Sequence, residues 1–487
     1  MNLIKKILIA IVVIIAIIAA YIAWSIHGTS AQYSLADTTG TRPKLADPDE
    51  QTIPTIKTAD PIGWKDGEAP VAAQGLVVTR FADKLDHPRT VVTLPNGDVL
   101  VAETNSPPRK DDGGITGMVM GYLFKKVGAG GTSPNKIVLL RDANGDGTAE
   151  QRFVMENPAL DSPFGMAFRD GRLLVANHNA VVSFPYALGQ TTLSGTPEKL
   201  MDLPGGGNHW ARNLLLSPDG NLLYVTVGSA SNIAEGGIEA EKGRAAIHEY
   251  DFTKKRAREF ASGLRNPNGL DWNPNSQELW TTVNERDMLG SDLVPDYLTN
   301  VPFGAAYGWP WAYWKKNIDW RVEAPMPQYL MEYVRKPEYG LGAHVAALGL
   351  TFSKGGNRMG AKFASGAFIA RHGSWNRRPL SGYDVVFVGF DDRGNVLKKP
   401  PVPVLTGFLT DDENARGRPT WVAFAKDGAL LVSDDTGGVI WRVTAPGAQP
   451  AAAITPLPTR QAPPQPKGTG KFIMKPNAES DLVKPTN

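Results

Sequence analysis

Four short stretches of this chain carry residue types that do chemistry. His209 stands in Gly205-Gly206-Gly207-Asn208-His209-Trp210-Ala211-Arg212-Asn213-Leu214, and it is one of seven histidines in 487 residues. Three glycines ahead of it free the backbone for an unusual path at a strand entrance. A neutral imidazole, with an ordinary pKa near ~6.5, takes a proton at working pH. Taken alone, a histidine in such a place is more often structural. Arg265-Asn266-Pro267-Asn268 offers a guanidinium and two amides. Proline cannot continue a helix and restricts the residue before it. The stretch is therefore expected to be a loop that presents those groups to something planar and anionic. Arg416-Gly417-Arg418 sets two guanidiniums on alternate positions. In an extended segment they point the same way and suit a carboxylated ligand; taken alone, the triplet reads as a solvated loop. Asp142-Ala143-Asn144-Gly145-Asp146-Gly147-Thr148-Ala149-Glu150 begins like a calcium loop, with oxygen ligands at alternate positions. Phe153 stands where the bidentate acid belongs, so a plain Asx-Gly turn competes with a structural calcium.

Aromatic residues crowd Tyr307–Trp314, and Trp210 and Trp375 flank candidate site residues. Each reads either as a seam of the core or as a platform for a sugar ring. The elements holding these stretches are short. Gly 51 and Pro 38 suit many strands and turns rather than long helices. A turn followed by an apolar, β-rich run recurs at Leu94–Ala102, Arg169–Ala176, Ser217–Val225, Asn273–Trp280 and Lys426–Val432, with a degenerate copy at Gly366–Ala370. Each copy is a hairpin signal. The uneven spacing implies long inserted loops. Six copies predict an all-β, six-bladed β-propeller, whose loops gather on one face and carry function. A pair of β-sandwiches is the competing architecture.

Lys+Arg 51 against Asp+Glu 49 leaves a net charge of +2, so no bulk electrostatic case for nucleic acid exists. Cysteine is absent, which excludes a disulfide framework, a thiolate metal site and covalent haem attachment. Lys5 and Lys6 precede an apolar run from Ile7 to Trp24, long enough to span a bilayer. Charge before the run puts the N-terminus in the cytoplasm and the bulk of the protein outside. The expectation is a transmembrane anchor over 1–27, a stalk and irregular lead-in over 28–74, the propeller over 75–445 and a Pro-rich tail over 446–487, with one strand near Lys471–Met474. A cleaved signal peptide competes with the anchor.

The stretch Ser262–Trp311 contains Arg265-Asn266-Pro267-Asn268-Gly269-Leu270, then Asn284-Glu285-Arg286-Asp287 after an apolar run, and closes Tyr307-Gly308-Trp309-Pro310-Trp311. It resembles the quinoprotein sugar dehydrogenases, the soluble glucose dehydrogenase and sorbosone dehydrogenase family that uses pyrroloquinoline quinone. The resemblance covers roughly residues 75–445. It implies oxidation of an aldose or sorbosone-like sugar by hydride transfer to bound quinone. His209 would be the general base, and a calcium ion would polarise the quinone. Arg265, Asn266 and Asn268 match the family's cofactor loop, although relatives often carry Gln where Asn268 stands. Arg416 and Arg418 match its second, Arg-x-Arg element. The glucose dehydrogenases' lysine on the penultimate blade is missing from Ala370–Arg378, as in the sorbosone branch, and His372 or Arg377 is the substitute. The calcium loop, a Gly-Pro pair in the family, corresponds to Arg286-Asp287, with Asp287 or Asp292 as added ligands. Implied partners are a sugar, an external electron acceptor (a quinone or a cytochrome) and the bacterial inner membrane, with the propeller in the periplasm. The rivals are a calcium-dependent lactonase-like hydrolase and a non-enzymatic, extracytoplasmic binding propeller.

Overall fold

The computed structural model describes residues 3–108 and 131–457; the Lys471–Met474 strand expectation and most of the tail lie outside the described residues. Six antiparallel sheets, each built on four strands, make a six-bladed propeller. Blade 1 is Pro88–Thr93, Val99–Glu103, Lys136–Arg141 and Gln151–Glu156; blade 2 is Met166–Arg169, Arg172–Ala176, Ala180–Pro185 and Glu198–Asp202. Blade 3 is Leu214–Leu216, Leu222–Val227, Ala246–Asp251 and Arg256–Ser262; blade 4 is Asn266–Trp272, Leu279–Asn284, Pro295–Asn300 and Tyr339–Ala343. Blade 5 is Ala347–Phe352, Gly366–Arg371, Asp384–Gly389 and Val402–Thr406. Blade 6 joins Pro419–Phe424, Leu430–Asp434 and Val439–Thr444 to the early strand Val77–Ala82, which closes the ring.

The recurring turns are the first hairpins of the blades. At blade 2 the hairpin is a two-residue turn in which Asp170 and Gly171 both have positive φ, and Arg169 pairs with Arg172. That backbone matches the right-handed strand twist. Blade 4 turns without glycine through a longer, six-residue connection between Trp272 and Leu279, with Gln277 at φ 59°. The strands after these turns are buried on both faces, and alternation sends successive side chains to opposite seams, Leu100 and Ala102 to one, Val99 and Val101 to the other. Six apolar clusters result, one at each blade seam.

The innermost strands surround a channel, with a cavity of about 380 Å³ lined by Thr90, Met166, Leu214, Leu270, Leu350 and Trp421, one from each blade. They pack so tightly that a Cβ at Gly269 would lie 2.5 Å from the Leu348 carbonyl oxygen, and one at Gly349 would lie 2.6 Å from Trp421 Cα. Inner strands of blades 1, 4, 5 and 6 are bulged near their starts, at Pro88/Val91, Pro267/Leu270, Ala347/Leu350 and Pro419/Trp421. A bulge tolerates proline, which has no N–H for the ladder, and re-aims its neighbours. The loop expected at Arg265–Asn268 is thus corrected: Asn266, Pro267 and Asn268 open the inner strand of blade 4, and Arg265 alone precedes it.

Residues 28–74 are not a free stalk. Thr39–Gly40 adds a fifth strand to blade 4, and Val71–Ala72 adds one to blade 5. Trp64 Nε1 donates to Asp434 across 2.7 Å. Ahead of this segment, helix Leu3–His27 runs for 25 residues. Its window Ile4–Tyr21 is apolar, exposed and long enough to cross a membrane.

Candidate active site

Every chemically interesting side chain but the acidic turn sits on one face. This mouth face carries the connections between blades and the loops between each blade's second and third strands. The Asp142–Glu150 turn lies on the opposite face, joining the third and fourth strands of blade 1. There Asp142, Asp146 and Glu150 bring oxygens within 4.8 Å of one another. Asp142 already accepts the N–H groups of Gly145, Asp146 and Gly147, as an Asx turn does.

His209 enters blade 3 and is half-buried. Its Nδ1 lies 2.9 Å from both the carbonyl oxygen and Oγ of Ser229. The Ser229 hydroxyl spends its proton on the Ser231 carbonyl at 2.7 Å. Both Ser229 atoms therefore accept, so the ring carries its proton on Nδ1. Nε2 is left as a bare acceptor, with no protein hydrogen bond among the described residues. Burial and the Arg265 guanidinium push the imidazole down to about 3, so the ring is neutral.

Beside it, blade 4 contributes Arg265 and Asp287. Arg265 Nη2 pairs with Asp287 at 3.0 Å and with Asn232 Oδ1 at 2.9 Å, and Nε reaches the Asn232 carbonyl. Asp287 also accepts Asn376 Nδ2 at 2.7 Å and faces His344 Nδ1 at 3.6 Å. Burial works against its charge, but Arg265 and His344 hold the carboxyl at about 2. Buried His344 keeps Nε2 on the Gly290 carbonyl at 3.0 Å. Burial opposes its charge, yet Asp287 and Asp296 raise its pKa above the usual value.

Blade 6 lies across the channel from blade 3, and there a second group gathers around Asp435. His372 Nε2 lies 2.8 Å from its carboxylate, His87 Nε2 lies 3.8 Å away, and Arg89 Nη1 is in contact. Arg418 donates to the carbonyls of His372 and Gly373 at 3.2 and 3.0 Å and lies over the Tyr383 ring. Burial opposes ionisation of Asp435, but the surrounding imidazoles and Arg89 more than offset it. Burial and Arg418 push His372 down to about 3. One guanidinium and two imidazoles thus face one carboxylate, the Arg418 guanidinium sits on the carbonyls beside them, and among the described residues Arg89 Nε is buried without a partner.

The sequence-derived candidates divide. The mouth brings together His209, Arg265, Asp287, His372 and Arg418. Asn266 and Asn268 lie buried beneath it: Asn266 Nδ2 bonds Asn284, and Asn268 Nδ2 bonds the Asn266 carbonyl. Arg416 turns outward, 3.8 Å from Glu68, because the segment before Pro419 is not a regular strand and the two guanidiniums diverge. Arg377 is a brace between Asp292 and the Tyr33 carbonyl. Arg286 is fully buried, bonding Glu285, Asp319 and the carbonyls of Pro310 and Ala312. The calcium expectation at Arg286-Asp287 meets a physical objection. The Asp287 carbonyl accepts Asn232 Nδ2 and Arg321 Nη1, and its carboxylate is spent on Arg265 and Asn376. Asp292 is committed to the N–H groups of Gln32 and Tyr33 and to Arg377. The aromatic stretch is largely core, with Tyr307, Tyr313 and Trp314 buried against Tyr297. Trp309 reaches the site through Nε1 to the Asn232 carbonyl.

Sequence reasoning missed His87, Arg89, Asn232, Ser229, His344, Asn376 and Asp435. A signal for two of them exists. His87-Pro88-Arg89 repeats the polar-Pro-polar pattern of Asn266-Pro267-Asn268 at the bulged start of an inner strand.

A profile of the TrAA12-like family matches residues 134–300 and 330–446. An uncharacterized protein of Borreliella burgdorferi is 26% identical over 370 residues, covering 73% of this chain and 91% of that one. A pyrroloquinoline quinone-dependent pyranose dehydrogenase of Coprinopsis cinerea is 26% identical over 440 residues. That match covers 78% of this chain and 55% of the fungal enzyme, so the chain spans about half its length. The solved holo form of the pyranose dehydrogenase PQQ domain from Coprinopsis cinerea superposes with a TM-score of 0.59 at 20% identity, covering 80% of this chain and 100% of that domain.

Proposed function

The chain belongs to the TrAA12-like family, and on that premise we propose that it is a quinoprotein sugar dehydrogenase with its site at the mouth of the propeller. The observation that carries this reading is the pair of guanidiniums, Arg89 on Asp435 and Arg418 on the neighbouring carbonyls, with Arg89 Nε unpartnered among the described residues, opposite a histidine whose Nε2 is bare. A planar tricarboxylate fits between them. Its carboxylates would take charge-assisted bonds from Arg89 and Arg418, and its ring would lie toward His209. Pyrroloquinoline quinone, when bound, supplies a two-electron hydride acceptor, which no side chain provides.

The protein's own part is binding, orientation and proton transfer. His209, locked by Ser229 with its proton on Nδ1, takes the hydroxyl proton of the sugar on Nε2 as hydride leaves the carbon that bears that hydroxyl. Arg265 is held by Asn232, Glu285 and Asp287 and keeps the imidazole neutral and ready. The tight inner strands wall the channel below the mouth. An external acceptor then removes two electrons. Of the oxygens expected to hold calcium, the Asp287 carbonyl is already filled by Arg321 and Asn232; no step here runs through a cation. A lactonase-like cage needs carboxylates open to a metal, whereas Asp287 and Asp435 each face a guanidinium. We place the propeller outside the cytoplasm, with Leu3–His27 as an inner-membrane anchor.

Titrating the cofactor-free protein with pyrroloquinoline quinone tests the reading. Saturable binding, followed by dye reduction with a panel of aldoses, is the expected result. Folded protein that takes up no quinone would overturn it.

A further inference from the structure

The chain leaves its apolar helix and docks on the mouth face almost at once. The helix ends at His27, one residue, Gly28, follows, and from Thr29 onward the backbone is held. Ser291 Oγ donates to the Thr29 carbonyl at 2.5 Å, and the Ala31 N–H donates to the Arg378 carbonyl at 2.7 Å. The N–H groups of Gln32 and Tyr33 both bond Asp292, and Arg377 clamps the Tyr33 carbonyl at 2.9 Å. Ser291 and Asp292 belong to the loop that carries Asp287, and Arg377 and Arg378 to the loop that carries His372 and Asn376. A residue spans at most ~3.5 Å of extended chain. The helix end therefore lies within roughly two residue steps, about 7 Å, of the site's own loops.

A second observation comes from the long insertion between Pro295–Asn300 and Tyr339–Ala343. It climbs back to the mouth, where Arg321 donates to the carbonyls of Asp287 and Met288 at 3.2 and 2.9 Å, and Asp319 pairs with Arg286 at 3.2 Å. Between them stands Trp320, 80% exposed. Among the described residues nothing covers this indole, and exposed tryptophan is what membrane–water interfaces select.

We propose that the mouth face lies against the lipid bilayer, with Trp320 seated at the headgroups and the one-residue tether fixing that orientation. The occupant of this surface is the membrane itself. The inference rests on Leu3–His27 being a retained anchor, as placed above. The opposite face, with its Asx-Gly turns, then points to solvent, separated from the mouth by strands of about six residues, ~20 Å.

The absence of cysteine makes single labels clean. Trp320→Cys marks the mouth and Lys254→Cys, in an exposed turn of blade 3, marks the far face. Each full-length variant carries an environment-insensitive dye and is reconstituted in phosphatidylcholine–phosphatidylglycerol vesicles containing a headgroup nitroxide lipid. The expected result is that the protein floats with the vesicles, the label at 320 loses emission and the label at 254 keeps it. Co-flotation with equal quenching of both labels, or stronger quenching at 254, overturns the orientation while leaving the anchor intact. Failure of the intact chain to float overturns the anchor and the orientation with it.

Discussion

At the scale of single residues, neutrality and tautomer matter more than mere presence. His209→Gln should still bind quinone, because its position across the channel from Arg89 and Arg418 makes it no anchor for carboxylates. Turnover should fall by about 10²–10⁴, the usual contribution of a positioned base; near-parental turnover would return His209 to a structural role. Only the neutral ring accepts a proton, and burial with Arg265 keeps it neutral down to about 3. In the cofactor-free protein the His209 and His372 ring signals should therefore stay fixed from pH 5 to 8 in a histidine-labelled NMR titration. His344, shifted the other way, should titrate at higher pH than either. The linkage has the same sign. Below the ordinary histidine pKa the unfolded chain binds a proton that folded His209 refuses, so acidification costs stability. His209→Gln removes that cost, and its melting temperature should fall less steeply from pH 6.5 toward 4. The two arginines should also part company. Charge-assisted bonds to carboxylates are worth about 1.5–3 kcal/mol, so Arg418→Ala should weaken quinone binding by roughly ten- to a hundredfold. Arg416→Ala should leave binding unchanged, since its guanidinium points to Glu68. Equal losses in a calorimetric titration would place both in the site.

At the scale of elements, the blades were readable and the loops were not, for one reason. A hairpin is coded by its own turn and the alternation beside it, so all six copies found by pattern fall in the six blades, including the degenerate Gly366–Ala370 in blade 5. A loop side chain is assigned by partners that sequence distance hides. Arg286 finds Asp319 33 residues on, and Arg377 finds Asp292 85 residues back, so two apparent ligand-binding arginines are braces. Asp435 looks like an ordinary end-of-strand acid until His87, Arg89 and His372 converge on it from two other blades. Pro267 misled in the same way. It excludes helix but permits a bulged strand entrance, and the bulge decides which neighbours face the channel. The inner strands yield a prediction of their own. A methyl at Gly349 would lie 2.6 Å from Trp421 Cα and 2.8 Å from Val422 N, both backbone atoms that cannot swing away. Gly349→Ala should cost at least the ~1–3 kcal/mol typical of overpacking, read as a lower urea midpoint. An unchanged midpoint would mean that the strands around the axis have room to part.

At the scale of the whole molecule, the first 82 residues have two jobs that their composition disguises. Residues 28–74 are polar and weakly periodic, which reads as a spacer, yet they are stitched to three blades. Thr39–Gly40 extends blade 4, Val71–Ala72 extends blade 5, Lys57 pairs with Glu413 at 3.0 Å, and Trp64 caps Asp434 in blade 6. Just beyond, Val77–Ala82 supplies the outer strand of blade 6 through pairing with Val439–Thr444. A propeller without that strand is an open ring whose last blade has an unpaired edge. Truncation should therefore act in steps. A chain starting at Thr29 loses only the apolar helix and Gly28, and it should be monodisperse without detergent, with an unfolding midpoint equal to that of the full chain. A chain starting at residue 75 loses the stitches but keeps the closing strand. Each lost hydrogen bond is worth about 1 kcal/mol, against a total stability of roughly 5–15 kcal/mol. That chain should fold with a clearly lower midpoint and earlier proteolysis at blades 4 and 5. A chain starting at residue 83 should show no cooperative transition. If the chain from 75 melts with the chain from 29, the lead-in is a spacer after all. The tether would then no longer fix the mouth toward the membrane, because nothing between the helix and blade 6 would be holding it there.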